Sequence, residues 1–298
     1  MKQPTNLRDL PFNLVVYTLY ALFTLACIVP FYYIFINTVS DNTLVQSGKI
    51  LLLPRGVHLQ NYLEVFKIRN LGQSAFISIS RTLIGTVFTL IGASFPGYTL
   101  SRPEFWNRRF WYRFIVITMY FNAGIIPWFV TMKSLGLTNN FLGYVLPAFL
   151  SPFNLILFKT YIESIPSSLE ESAQIDGAGY LVRYLHIIMP LAKPILATIA
   201  VFAAVGQWNS FMDTVFLMNR SSLFTLQYLL YQYLNEVNSI AQQLRSNPNF
   251  QNLDPARQLT ATPIRMTISM VTVLPILTVY PFFQRYFVKG IMIGAVKG

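Results

Sequence analysis

The chain has 298 residues, of which 54% are hydrophobic and only 11% are charged, and its net charge is +11. Soluble domains carry about 25% charged residues, so this composition is typical of a protein embedded in a lipid bilayer. One cysteine, Cys27, and two distant histidines, His58 and His186, exclude an internal disulfide and argue against a metal site. The basic residues mostly flank apolar segments and anchor helices there, so the charge does not indicate nucleic-acid binding.

Apolar segments long enough to cross a bilayer as helices, about 20 residues each, recur along the chain. Charged residues separate them into six predicted spans, at residues 13–40, 72–101, 114–132, 141–158, 194–212 and 266–284. The first span is much longer than the apolar region of a cleaved signal peptide, so it is expected to remain as an anchor. Residues 1–298 are therefore predicted to form a single all-α, multi-pass membrane domain.

The short loops predict the orientation of these spans. Residues 102–113 contain four arginines, whereas residues 133–140 contain one lysine. Because basic short loops stay in the cytoplasm, both termini and residues 163–190 are expected on the cytoplasmic side, with residues 213–265 outside. In that outer loop, apolar spacing over Leu223–Leu244 predicts an amphipathic helix, either a cap on the spans or a docking surface for an external partner.

Residues 163–190, between the fourth and fifth spans, are too short to cross the bilayer and read ESIPSSLEESAQIDGAGYLVRYLHIIMP. Ser168 and Glu171 have the spacing of a capping box, which begins a helix. Gly177 supplies the left-handed residue at which that helix can end. A second helix, Tyr180–Met189, leads to Pro190 and the fifth span. This helix–turn–helix predicts a handle for a soluble partner.

The same segment resembles the EAA loop of binding-protein-dependent ABC importer permeases, whose motif is Glu-Ala-Ala, three residues, Gly, nine residues and Ile-x-Leu-Pro. Residues 171–173 read Glu-Ser-Ala, Gly177 follows at the family spacing, and residues 187–190 read Ile-Ile-Met-Pro. Ser172 and Met189 depart from the motif but conserve size and helical character. The run DGA (176–178) looks like the sugar-importing branch, and QNYLEVF (60–66) and AGIIPWFVTMKSLGLTNN (123–140) look like permeases of the carbohydrate-uptake group. Within that group, the chain most resembles the maltose-importer-like branch that handles complex and uronate-containing oligosaccharides.

The resemblance implies the type I ABC importer permease fold, with six transmembrane helices and a cytoplasmic coupling helix, in the cytoplasmic (inner) membrane. It implies half of a translocation pathway, formed with a second and usually different permease subunit, for an oligosaccharide delivered by an external solute-binding protein. Two cytoplasmic ATPase subunits, which hold ATP and Mg²⁺, dock on the two EAA loops. The chain has no G-x-x-x-x-G-K-[ST] run, so it is expected to be no enzyme and to hold no cofactor. The predicted ATPase-coupling residues are Glu170, Glu171, Ser172, Ala173, Asp176, Gly177, Ala178 and Pro190.

Polar side chains inside the spans are the candidates for a substrate pathway. Arg81 lies within the second span, where a charge costs several kcal/mol unless it snorkels or meets a partner. It is therefore either an interfacial snorkelling residue or a contact to an anionic sugar or to the partner permease. Planar aromatic and amide groups suit sugars, which adds Tyr120, Asn122, Trp208 and Asn209.

An ion-gradient-driven secondary transporter is the alternative function, and an intramembrane enzyme is a third class. Secondary transporters often show internal repeats and acidic residues at mid-membrane, and an enzyme needs a nucleophile and a base within the spans. The sequence shows no repeat, no acidic residue well inside a predicted span and no histidine in one. Both alternatives also leave the spacing of residues 163–190 unexplained.

Overall fold

The computed structural model describes residues 10–235 and 262–278, and all regular structure within these ranges is helical. Two helices are composite, because α7 ends in a 3₁₀ turn and α10 contains a π-helical segment, Tyr184–Ile188. The helices are α1 Leu10–Thr38, α2 Asn42–Gln46, α3 Gln60–Phe66, α4 Leu71–Ser101, α5 Arg108–Tyr120, α6 Ile125–Ser134, α7 Leu142–Ala148, α8 Pro152–Ile162, α9 Ser168–Ile175, α10 Tyr180–Leu191, α11 Lys193–Asn209, α12 Met212–Leu217, α13 226–235 and α14 Thr262–Thr278.

The chain divides into two compact units, of which the first comprises Met1–Arg69 and Gln232–Leu274. Its small core consists of Ile36, Val45 and Ile50. Helix α3 is held to the end of α1, because the Asn61 amide donates to the Thr38 carbonyl at 3.0 Å. Most of the apolar side chains of α1 are exposed, so this helix must be covered by lipid or by another subunit.

Asp41 begins α2 in the same unit. Its carboxylate accepts hydrogen bonds from the backbone N–H groups of Thr43, at 2.9 Å, and Leu44, at 3.2 Å, and from the Thr43 hydroxyl. These bonds lower the pKa of Asp41 below its ordinary value, and the bond from the Thr43 hydroxyl has the largest effect. A lowered carboxyl pKa stabilises the cap above the unfolded-state pKa, and this contribution is lost as the pH falls through the folded-state pKa.

The second unit comprises Asn70–Tyr231 and Pro275–Gly298, and α4 lies at its centre with α8 and α11 packed against it. Glycines allow this close approach. A Cβ on Gly92 would lie 1.8 Å from the Phe149 carbonyl oxygen, and one on Gly97 would lie 2.9 Å from the Phe158 ring. Small residues at helix contacts are the usual means of packing helices closely in membranes. The core around them includes Ala93, Tyr98, Phe158, Ile162, Tyr184, Ile188, Ile195 and Ile199.

Among the described residues, two helices are each long and apolar enough to cross a membrane without a partner helix. They are Pro11–Thr38 and Leu71–Ser101. They correspond to the first two predicted spans. Up to five spans result if each bent helix pair is counted as one. The predicted sixth span, residues 266–284, is described only to residue 278, within α14. Within the segment Leu223–Leu244, which is predicted to be an amphipathic helix, residues 226–235 form α13. The part beyond residue 235 lies outside the described residues.

The predicted third span, residues 114–132, is not one helix, because α5 and α6 meet at an angle of 118°. The cause is local. Gly124 has φ +88°, and its N–H donates to the Asn122 side-chain oxygen at 2.9 Å, which closes a turn between the helices. Two further pairs are bent, α7 with α8 by 45° and α10 with α11 by 79°. The apolar pattern alone does not reveal these breaks.

Candidate functional site

Helix α9 and the turn after it form a short, well-defined structural element. The N–H of Ala178 donates to the Ala173 carbonyl at 2.9 Å, and the N–H of Gly177 donates to the Gln174 carbonyl at 3.1 Å. This pair of bonds is a Schellman motif, which requires a left-handed residue after the helix. Gly177 has φ +82°, so the predicted helix end at this glycine is confirmed.

The predicted capping box at the start of α9 is wrong. Ser167, not Ser168, precedes the first helical residue, and within the described residues the Ser167 side chain forms no capping hydrogen bond. Ser167 has helical backbone angles, and its carbonyl accepts from the N–H groups of Glu170 and Glu171, both at 3.0 Å. The Ser168 carbonyl instead accepts from the Ser172 hydroxyl at 2.8 Å. Glu171 is therefore not occupied by capping and its side chain is exposed.

Glu170 points in the opposite direction and connects α9 to the end of α4. Its carboxylate oxygen lies 2.5 Å from an Arg102 guanidinium nitrogen and accepts from the Tyr98 hydroxyl at 3.2 Å. The Arg102 guanidinium also lies over the Tyr98 ring, 4.7 Å from its centroid. Glu170 is only 7% exposed. This ion pair fixes α9 against the membrane helix bundle and leaves Glu170 unavailable to another protein.

A second contact fixes α9 to the following helix. Arg183 of α10 donates to the Gln174 side-chain oxygen at 3.2 Å, and its guanidinium lies over the Tyr180 ring. The tip of the element, by contrast, faces outward, since Ile175 is 87% exposed. Of the other predicted coupling residues, Asp176 is also exposed, Ala173 and Ala178 are half-buried, and Pro190 lies within α10. The element is thus anchored on one side and free on the other.

Arg81 is part of a buried polar cluster in the second unit. It is 2% exposed, so the snorkelling interpretation is wrong. Its guanidinium donates to both carboxylate oxygens of Asp213, at 3.1 and 2.5 Å, twice to the Gln207 side-chain oxygen, at 3.1 and 3.0 Å, and to the Ser210 carbonyl at 3.3 Å. The guanidinium also lies 4.3 Å from the centroid of the Tyr144 ring.

These contacts account for all five N–H groups of the guanidinium. Arg81 therefore has no donor left for a sugar carboxylate, and it joins α4 to α11 and α12. Sequence reasoning missed Asp213, Gln207 and Tyr144 as its partners. Asp213 is 132 residues away from Arg81 along the chain. The sequence indicated this pairing only through the general need of a buried arginine for an opposite charge.

Two adjoining grooves open beside this cluster. The first, about 480 Å³, is lined in part by Asp213, Ser210, Asn154, Trp128 and Tyr144, and we call it the polar groove. The second, about 430 Å³, shares Trp128, Ser210 and Asp213 with it and extends to Asn122. The described residues contain no group of three or more His, Cys, Asp or Glu side chains that could hold a metal ion.

The structure does not bring the other predicted pathway residues into one site. Tyr120 is 80% exposed. Asn122 lines only the second groove and its side chain closes the α5–α6 turn. Trp208 is buried and lines a separate apolar groove. Asn209 is exposed and accepts from the Gln227 amide at 3.2 Å.

Comparison with known proteins gives a consistent result. A family described as "Binding-protein-dependent transport system inner membrane component" matches residues 85–293. The polygalacturonan/rhamnogalacturonan transport system permease protein YtcP of Bacillus subtilis is 35% identical over 287 residues, which cover 96% of this chain and 98% of that protein. The arabinooligosaccharides transport system permease protein AraQ of Halalkalibacterium halodurans is 29% identical over 263 residues, 86% of this chain and 85% of that protein.

A solved structure is similar over almost the whole chain. It is the crystal structure of a bacterial ABC transporter involved in the import of the acidic polysaccharide alginate, with a TM-score of 0.81 and 32% identity over 96% of this chain and 100% of that chain. The fold and the sequence thus define an ABC importer permease subunit, which is not an enzyme, since ATP hydrolysis resides on separate subunits. The chain belongs to the family of binding-protein-dependent transport system inner membrane components.

Proposed function

We propose that this chain forms half of the translocation pathway for an oligosaccharide and that α9 couples this pathway to ATP hydrolysis on a separate subunit. The observation that carries the proposal is the construction of α9. Its inner side is fixed by the buried Glu170–Arg102 ion pair, and its outer side presents Glu171 and Ile175. A helix held in this way can transmit a displacement of its partner to α4 without deforming, since packed interiors are rigid.

The remaining subunits follow from this role. A second permease chain of different sequence completes the pathway, and an external binding protein delivers the solute. Two ATPase subunits hold ATP and Mg²⁺ and contact α9 and its counterpart. The arginine-rich loop, residues 102–113, supports an orientation in which residues 163–190 and both termini lie in the cytoplasm.

The substrate class is an oligosaccharide. YtcP and AraQ are named for polygalacturonan, rhamnogalacturonan and arabino-oligosaccharides, and the solved relative is involved in the import of alginate. The compounds in these names are all polymers or oligomers of sugars or sugar acids. The grooves beside Arg81 and Asp213 add amide, hydroxyl and aromatic groups of the kind that bind sugars. These similarities do not favour the alternative of an ion-gradient-driven transporter.

Two substitutions in α9 and its turn test this function. Gly177→Pro removes an N–H that donates to Gln174 and imposes φ near −65° where the structure has +82°, so it destroys the Schellman turn. Glu171→Lys reverses the charge of an exposed side chain and leaves the fold intact. We expect each variant to reduce oligosaccharide uptake at least about tenfold, the usual scale of a coupling energy. The measurement is uptake and ATPase activity of the transporter co-expressed with candidate partner subunits.

Gly177→Ala is the matched control. A Cβ at this position would meet no atom of the described residues within 4 Å, so alanine incurs only the cost of a left-handed backbone, roughly 1 kcal/mol, and should retain most of the uptake. All three variants, Gly177→Pro, Glu171→Lys and Gly177→Ala, must reach the membrane in normal amounts. Normal uptake in both Gly177→Pro and Glu171→Lys would refute the coupling role of α9.

A further inference from the structure

The polar groove contains a side chain whose hydrogen-bonding capacity is unused. Asn154, in the first turn of α8, lines this groove and is 8% exposed. Its backbone N–H donates to the Ser151 hydroxyl at 3.4 Å. Within residues 10–235 and 262–278, however, no hydrogen bond is formed by its carboxamide. Both polar atoms of the amide reach the surface of the groove, where they are available to bond to a ligand.

The charges beside Asn154 restrict what that ligand can be. Arg81 and Asp213 are the charged residues that line the groove, and together they are neutral. Arg81 has no free N–H group. Asp213 retains acceptor capacity at Oδ2, which within the described residues accepts one hydrogen bond, from Arg81. Its Oδ1 accepts from Arg81 and from the Thr214 N–H. The Asp213 side chain is 16% exposed.

The groove therefore offers acceptors to hydroxyl groups, and the described residues that line it offer no free cation to a carboxylate. The Asn154 carboxamide can donate and accept at once, which matches a pair of vicinal sugar hydroxyls. Trp128 adds an aromatic side chain to the same groove, and an aromatic face is the apolar surface that a sugar ring requires. The volume of about 480 Å³ is within the range of small-molecule sites.

We propose that the polar groove is a saccharide subsite of this subunit, in which Asn154 and Asp213 bind the hydroxyl edge of one sugar ring beside Trp128. The subsite recognises hydroxyl groups and does not recognise a carboxylate. In an acidic oligosaccharide, the carboxylate of the bound ring must face away from Asp213. This inference rests on the proposed function and specifies which chemical groups of the substrate this subunit contacts.

The experiment uses the complete transporter in lipid nanodiscs without its binding protein, so that only the membrane subsites are measured. The probes are α-1,4-linked galactotriose and trigalacturonate, whose rings differ only by the carboxylate at C6. The key variant is Asn154→Leu, which has a similar volume and no hydrogen bonds. Loss of the amide contacts is expected to weaken galactotriose binding about tenfold, equivalent to about 1.4 kcal/mol.

The matched control is Gln60→Leu, which removes an exposed amide outside both grooves and should leave binding unchanged. Wild-type transporter should bind galactotriose at least as tightly as trigalacturonate. The inference is overturned if neither sugar binds, if Asn154→Leu binds galactotriose like wild type, or if trigalacturonate binds more than about tenfold more tightly through Asn154.

The proposed function has a separate readout. ATPase activity of the wild-type transporter must rise when a solute-loaded binding protein is added. If it rises and Asn154→Leu has no effect on sugar binding, the subsite is refuted and the proposed function stands. If no binding protein stimulates the ATPase, the proposed function itself fails.

Discussion

Replacing Arg81 with methionine is expected to lower the thermal midpoint of the purified transporter by about 10 °C. The guanidinium is buried and has five hydrogen bonds to Asp213, Gln207 and Ser210. Removing one partner of a buried ion pair leaves the other charge uncompensated, at a cost of roughly 3–5 kcal/mol. In a unit of this size, each kcal/mol corresponds to about 2–4 °C. The measurement is the thermal unfolding midpoint in detergent.

The double variant Arg81→Met with Asp213→Leu separates charge from packing. Apolar replacements of both members of a buried pair are often neutral, so this variant should recover at least about half of the lost midpoint. If Arg81→Met alone melts like wild type, the interpretation of Arg81 as a structural connection between α4, α11 and α12 is wrong. A functional role in which Arg81 is free to bind substrate predicts that outcome together with a loss of sugar binding.

Replacing Glu170 with glutamine is expected to uncouple ATP hydrolysis from transport. The variant keeps the size of the side chain but removes the charge that holds Arg102 at 2.5 Å. Helix α9 would then be fixed to the end of α4 only by weaker contacts, and movement of the ATPase would no longer reach the membrane helices in full. We expect the sugar transported per ATP hydrolysed to fall about tenfold, while ATP hydrolysis persists.

Glu163→Gln is the control for this change. Glu163 forms a partly exposed ion pair with Lys159 on α8, at 2.7 Å, and such pairs contribute only about 0–1 kcal/mol. Its transport ratio should therefore equal that of wild type. Exchanging the charges, with Glu170→Arg and Arg102→Glu together, should restore part of the coupling. An unchanged transport ratio in Glu170→Gln would contradict the anchoring role of this pair.

The sequence predicted those parts of the fold that depend on local chemistry. The end of α9 at Gly177 follows from the need for a left-handed residue, and the spans that became α1 and α4 follow from uninterrupted apolar length. The break between α5 and α6 was missed because the turn depends on the Asn122 side chain and on Gly124, neither of which disturbs the apolar pattern.

Side-chain orientation in the site was the harder part. Glu170 and Glu171 are adjacent acidic residues of the same helix, about 100° apart around its axis, and the sequence assigned both to the ATPase contact. In the structure, α9 is oriented about its axis so that Glu170 is buried against Arg102 and Glu171 is exposed. This orientation is set by packing between helices and cannot be read from the sequence of α9. Arg81 presented the same difficulty, because its partner Asp213 is brought to it only by the packing of α12 near α4.

The central claim, that α9 faces the cytoplasm and contacts an ATPase, is most directly tested by thiol labelling at its exposed tip. Cys27 is the only cysteine in the chain, so the Cys27→Ser, Ile175→Cys variant carries one thiol at a side chain that is 87% exposed. We predict that a membrane-impermeant maleimide modifies this thiol in inside-out vesicles and that bound ATPase subunits block the reaction. Modification in right-side-out vesicles, or an equal rate with and without the ATPase, would contradict the account.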